Sequence, residues 1–268
     1  MRRMGWPGLA LGTLVVLGAG SAHADMSACE SAPYAKDYRE QVNLWTLCIE
    51  KGGGIDAGNL GGALSNRGVA YVRLGEFDKA MADFNASISY IPRWGFGYYN
   101  RASLYARRGE WTKAEADLDI AAKLDPARIR PSVFQLRAQA RTVRGDFKGA
   151  VADDEEALSY DRNFEPALNQ EAWLLATAPD ASVRNGSKAV QLALKAVKNK
   201  DSDAVHDTLA AAYAEAGDFA GAQREQQRAI ELLAPGATQA LRDEYKARLE
   251  GYAKGQPYRT PAPAPRAP

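Results

Sequence analysis

Gly68-Val69-Ala70-Tyr71-Val72-Arg73-Leu74-Gly75-Glu76-Phe77-Asp78-Lys79-Ala80 decides the fold, because its spaced residues return along the chain. Ala102, Tyr105, Gly109, Trp111 and Ala114 repeat the pattern 34 residues later, and Ala138, Arg141, Gly145, Phe147 and Ala150 repeat it after another 36. Ala210, Tyr213, Gly217, Phe219 and Ala222 form the last clear copy. Between them, Leu168, Ala172, Leu175 and then Ala189, Ala193 and Ala196 make a fourth, with about five extra residues in its turn. Each copy reads as two amphipathic helices, with glycine at the left-handed C-cap of the first. Small residues such as Gly68, Ala80, Ala102, Ala114 and Ala210 let paired helices approach, and the aromatics fill the space beside them. Pro92 and Pro126 are placed to close second helices, since proline cannot continue a helix interior.

A repeat of this length and pattern resembles the tetratricopeptide repeat (TPR) family over about residues 61–234. The resemblance implies an all-α fold, a right-handed α-solenoid of about five helix-turn-helix repeats (61–94, 95–130, 131–164, 165–202 and 203–234). A stacked array needs its apolar ends covered. Residues 25–60, with Tyr38, Val42, Trp45 and Ile49 at helical spacing in 35–50, are expected to cap one end. Residues 235–254, with Leu241, Tyr245, Leu249 and Tyr252, are expected to cap the other. The tail, 255–268, carries five prolines and is expected to be extended and disordered, with a partner-docking polyproline segment as the alternative.

Arg67, Arg101 and Arg137 stand where many TPR motifs carry Leu, and each is followed 16 residues later by an acid: Asp83, Asp117 and Asp153. The constant offset predicts ion pairs between helices, within or between neighbouring repeats, whose role is structural registration. Asp153, Asp154, Glu155 and Glu156 form an acidic run expected mostly to meet water.

Residues 1–24 read as a secretory signal peptide: Arg2 and Arg3, an apolar stretch from Leu9 to Gly20, and a small-x-small site at Ala22-His23-Ala24. The apolar run is too short to span a membrane, which takes about 20 residues. Its removal leaves 32 basic against 33 acidic residues, so no global field points to nucleic acid or anionic lipid, and no later apolar stretch is long enough for membrane insertion of the mature chain. Cys29 and Cys48 are the only cysteines, and in an exported chain they read as a disulfide. Ser27-Ala28 before Cys29 also offers a lipidation box, although Asp25 interrupts the apolar lead-in. Together these features point to a Gram-negative periplasm, with secretion beyond the cell left open.

Catalytic signatures are missing from the sequence. The mature chain keeps one histidine, His206, at a packed helix position, and no H-E-x-x-H, G-x-S-x-G, phosphate loop or Cys/His cluster occurs. Gly52-Gly53-Gly54 lacks the Lys-Ser/Thr that a phosphate loop needs. The reading is therefore not an enzyme, with no cofactor and no metal. What the resemblance implies instead is a groove lined by first helices that takes a protein or peptide partner. By position its candidates are Asn66, Arg73, Trp94, Phe96, Tyr99, Asn100, Ser103, Arg107, Gln135, Gln139, Asn169 and Trp173. Aromatic and arginine side chains are the usual energetic anchors of interfaces. Some TPR domains hold a C-terminal carboxylate with lysines and asparagines of successive repeats; here Ser65 and Ser132 replace the lysines, although Asn100 survives, which argues against capture of an acidic tail. Two alternatives remain: a structural component of an envelope assembly that uses its outer face, and an accessory subunit of an envelope enzyme. The turn from Ala178 to Gly186 is expected to be a solvated loop. Oligomeric state is left open by the sequence.

Overall fold

The computed structural model describes residues 27–51, 56–124 and 130–262. The signal-peptide reading, Gly52–Gly54, Pro126 and the last six residues of the tail lie outside them. Two compact units emerge, one ending at Val133 and the other running from Phe134.

The first unit opens with α1 (Ser27–Ser31), a 3-10 turn (Ala32–Tyr34) and α2 (Tyr38–Lys51). Cys29 and Cys48 are joined there in a disulfide and buried with Trp45 and Ala63. Tyr38 departs from its expected inward place: it is exposed, and the Arg73 guanidinium lies over its ring. Helix pairs follow, α3 (Ala57–Leu74) with α4 (Phe77–Tyr90), then α5 (Gly95–Arg107) with α6 (Trp111–Leu124). Small residues set the spacing: a Cβ on Gly68 would stand 2.6 Å from the buried ring of Phe84. Burying that ring is worth roughly 2–3 kcal/mol, so close approach of α3 to α4 is a stabilising feature. Gly75 and Gly109 close the first helices with φ of 79° and 75°, the left-handed turn that glycine adopts most readily.

α7 (Arg130–Arg144) crosses the boundary. The second unit then contains α8 (Phe147–Tyr160), α9 (Glu165–Thr177), α10 (Gly186–Asn199), α11 (Asp203–Glu215), α12 (Phe219–Glu231) and α13 (Gln239–Ala253). Its core is a mesh of alanines with Leu168, Leu175, Leu192 and Leu209 on α9, α10 and α11. Tyr245 and Tyr252 of α13 are buried and close the last pair.

Three expectations need correcting. The turn between α9 and α10 is solvated only in part: Asp180, Ala181, Ser182 and Asn185 are exposed, whereas Ala178 and Val183 are buried and Arg184 Nη1 donates to the carbonyls of Ala178 and Pro179. In the acidic run only Glu155 and Glu156 face water, whereas Asp153 and Asp154 are buried because α8 turns that face inward. The tail is docked from Pro257 to Thr260, each half-buried, because Tyr258 and Arg259 supply a ring and a guanidinium among the prolines.

Candidate partner-binding site

The arginine-aspartate positions are consumed within their own repeats. Arg67 Nε and Nη2 donate to the two carboxylate oxygens of Asp83, both at 2.8 Å. Arg101 does the same to Asp117 at 2.7 and 2.8 Å, and Arg137 to Asp153 at 2.9 and 2.6 Å. The remaining nitrogen ties each of the first two to the preceding helix, Arg67 Nη1 to Thr46 Oγ1 on α2 and Arg101 Nη1 to Asn85 Oδ1 on α4. Bidentate guanidinium-carboxylate pairs fix orientation as well as distance, so these residues register helices against each other.

The groove candidates separate into two groups. Phe96, Tyr99, Asn100, Ser103, Gln135 and Gln139 are buried. Burial pushes the Tyr99 phenol up to about 12. Asn100 Nδ2 donates to Ser65 Oγ at 3.1 Å, so the residue expected in a carboxylate-holding set instead links α5 to α3. Gln135 Nε2 donates to Gln170 Oε1 between α7 and α9 at 2.9 Å. Asn100 and Gln135 thus join first helices of successive repeats, and a sequence pattern that marks the inner face cannot tell a lining residue from a joining one. Arg73 and Arg107 are exposed, whereas Asn66, Trp94, Asn169 and Trp173 are half-buried. Arg73 and Arg107 end α3 and α5 and sit 34 residues apart, each over an aromatic ring, Tyr38 at 6.0 Å and Phe77 at 5.6 Å. Trp94 and Phe96 contact each other with ring centroids 5.5 Å apart.

In the second unit the chain's own tail packs against α9. Gly255 adopts φ 69° after α13 and reverses the chain, with Gln256 N donating to Gly251 O. Tyr258 then packs on Trp173 with centroids 5.7 Å apart. Arg248, buried on α13 and paired with Asp207 at 3.2 Å, lies over both rings. Thr260 N donates to Thr177 O at 2.8 Å, and the two threonine hydroxyls meet at 2.8 Å. Arg259 Nη1 donates to Ala176 O at 3.3 Å, and its Nη2 pairs with Glu215. The last carbonyls of a helix lack intrahelical donors. For α9 every one of the last four is met from outside the helix: Leu174 by Ala178 N, Leu175 by Asn185 N, and Ala176 and Thr177 by the tail. Sequence reasoning picked out Trp173 but missed Arg248, Glu215, Tyr258 and Arg259; the aromatic-basic pair inside the proline-rich tail was the available signal.

His206 is buried with Nδ1 2.6 Å from Glu225 and Nε2 2.8 Å from Asp201, a structural link between α11, α12 and the segment before α11. Among the described residues no group of His, Cys, Asp and Glu is arranged to hold a metal, and no helix is long and apolar enough to cross a membrane.

The tetratricopeptide repeat family model matches residues 62–93. No curated protein matches the chain in sequence. Among solved structures, PilF of Pseudomonas aeruginosa is 14% identical with a TM-score of 0.65, over 83% of this chain and 94% of that one. YrrB, described as a TPR protein with an unusual peptide-binding site, is 15% identical with a TM-score of 0.56, over 76% and 97%. A TPR protein from Parabacteroides merdae is 16% identical with a TM-score of 0.58, over 85% and 96%. This chain thus carries a tetratricopeptide repeat at 62–93 and has the all-α fold of TPR proteins.

Proposed function

We propose that the mature chain is an exported, non-catalytic scaffold that holds an extended or helical segment of a partner protein on the inner faces of its first helices. The observation that carries this is the pair Arg73 and Arg107, both exposed at equivalent ends of α3 and α5, whereas Arg67 and Arg101 lie part-buried against their aspartates. Set on aromatic rings, they present guanidinium edges to carboxylates or backbone carbonyls of a bound segment, the interface role in which arginine is enriched. A solved protein of the same fold, YrrB, is described as having a peptide-binding site, which supports the class of partner. The Cys29–Cys48 bond fits an oxidising compartment and, with the basic-apolar N-terminus, supports export to a periplasm.

A second reading, contact through the outer face within an envelope assembly, is favoured by an open pocket of about 490 Å³ lined by Arg39, Asn43, Thr46, Tyr71, Glu76 and Lys79 among others.

The test is affinity capture from envelope extract with the mature chain beside Arg73→Glu/Arg107→Glu, both with unchanged melting. A partner held by the first and lost by the second is the expected result. Retention by both, with loss on Asn43→Arg, moves the interface to the outer face. Mass determination of the chain recovered from the producing cell should show cleavage after Ala24; an uncleaved chain in the cytosolic fraction would sink the export reading.

A further inference from the structure

We propose that the surface formed by α9, α11 and α13 is a binding site for an extended partner segment that presents an aromatic ring, then a guanidinium, then a backbone N–H, and that residues 257–260 occupy it as a built-in competitor. The inference rests on the reading of inner helix faces as partner-binding and adds the chemistry of the segment.

Each element of the site is set before the tail reaches it. Trp173 is held under the Arg248 guanidinium, which Asp207 fixes, so a flat aromatic-cationic platform stands ready for a ring. Glu215 is oriented by Arg184, whose Nε lies 3.1 Å from Oε1, which leaves Oε2 for an incoming cation. The Ala176 and Thr177 carbonyls end α9 and require donors from outside the helix. Tyr258, Arg259 and Thr260 meet these three demands in sequence order, in the extended form that the flanking Pro257 and Pro261 favour.

The tail follows a single left-handed glycine and makes its contacts over residues 257–260, apart from the alanine-leucine core that joins α9, α10 and α11. A covalently linked segment acts at a high effective concentration, which lets modest contacts hold it until a better-matched or more abundant segment arrives.

The test uses the full mature chain and the peptide Gly-Gln-Pro-Tyr-Arg-Thr-Pro-Ala, the sequence of residues 255–262, carrying a fluorophore. Tyr258→Ala/Arg259→Glu vacates the site in the intact protein. The expected result is peptide binding at least tenfold tighter to that variant than to the unsubstituted chain, lost when the peptide's arginine becomes glutamate or when Trp173→Ala is added. No binding to a vacated variant of normal helicity overturns the proposal and makes the tail a structural strap. Equal binding to both chains also overturns it, since the peptide would then sit elsewhere. If the double variant does not fold, hydrogen exchange on the unsubstituted chain decides: excess peptide should speed exchange of the Thr260 amide by severalfold, and an unchanged rate overturns the competitor role. A concentration-dependent dimer of the unsubstituted chain that the double variant loses would make the occupant a second copy and overturn the partner assignment. Failure of any of these leaves the Arg73/Arg107 capture result untouched, so the two readings fall separately.

Discussion

The two units hold their helices with charge in different ways. In the first, Arg67 with Asp83 and Arg101 with Asp117 are one-to-one pairs beside tyrosines, Tyr71 and Tyr105, and the neighbouring pairs recur as Lys79 on Glu76 and Lys113 on Glu110. In the second, the charges lie deeper and do not balance pair by pair. Asp153 takes both Arg137 and Arg141, Asp154 has no hydrogen-bond partner on either oxygen, Glu171 is buried with Lys188 at 2.7 Å, and Arg248 with Asp207 is almost wholly enclosed. Balanced pairs at a half-buried edge register helices with little sensitivity to conditions. Unbalanced buried charge makes a unit sensitive to pH and to the loss of any single partner.

The largest difference should appear on removing one cation from each kind of pair. Arg248→Met removes the guanidinium paired with Asp207, fully buried, and should cost about 3–5 kcal/mol, the range for breaking a buried pair. Arg67→Met strands Asp83, which keeps some access to water, and about 1–2 kcal/mol is expected. Urea denaturation of both variants measures the contrast; equal losses would mean that depth does not separate the two units.

Acid should separate them next. Asp154 is held well above the usual carboxylate range by burial first, then by the charges of Glu171 and Asp153; Lys188 and Glu155 lie by Glu171, and Arg137 and Arg141 pair with Asp153. Burial likewise raises Glu171, with Lys188 opposing. The sign follows from the native state binding the proton more tightly than the unfolded chain: the stability is fully present below the ordinary carboxylate value and is lost as pH rises through the elevated native value. Asp154→Asn should therefore melt higher than the unsubstituted chain near neutral pH, with the two converging as pH falls toward about 4. Melting curves across that range check it, and a constant offset at all pH values would show that titration is not the cause.

This comparison also marks what the sequence could disclose. The period, the glycine C-caps, the small-residue contacts and the 16-residue Arg-Asp offset are local and repeated, so they were legible from residues such as Gly68, Tyr71 and Arg101 without a structure. Asp154 was not, because an acidic run looks alike whether its helix turns it to water or inward. The candidate site was half legible. Arg73, Arg107 and Trp173 follow from position in the repeat, yet Phe96, Tyr99 and Asn100 share the same positional signature and are buried, Asn100 tying α5 to α3. The tail escaped because composition predicts an average behaviour, while docking depends on two residues, Tyr258 and Arg259, and on partners far away in sequence.

The smallest effect concerns the third copy of the pattern, where Arg141 stands in place of the tyrosine at 71 and 105. Arg141 Nη1 lies 2.9 Å from Asp153 Oδ2 and donates to Gly149 O at 3.1 Å. A tyrosine there would give up both, but it would recover the stacking seen where Arg67 lies 5.8 Å from the Tyr71 ring and Arg101 6.0 Å from the Tyr105 ring. Arg137 continues to pair Asp153 in either case, so no buried acid is stranded. Losing one half-exposed ion pair and gaining one cation–π contact should nearly cancel, and Arg141→Tyr is expected to shift stability by less than about 1 kcal/mol. A loss near that expected for Arg248→Met would instead mean that Asp153 needs two cations, and that the third copy belongs with the deeply charged unit in mechanism as well as in position.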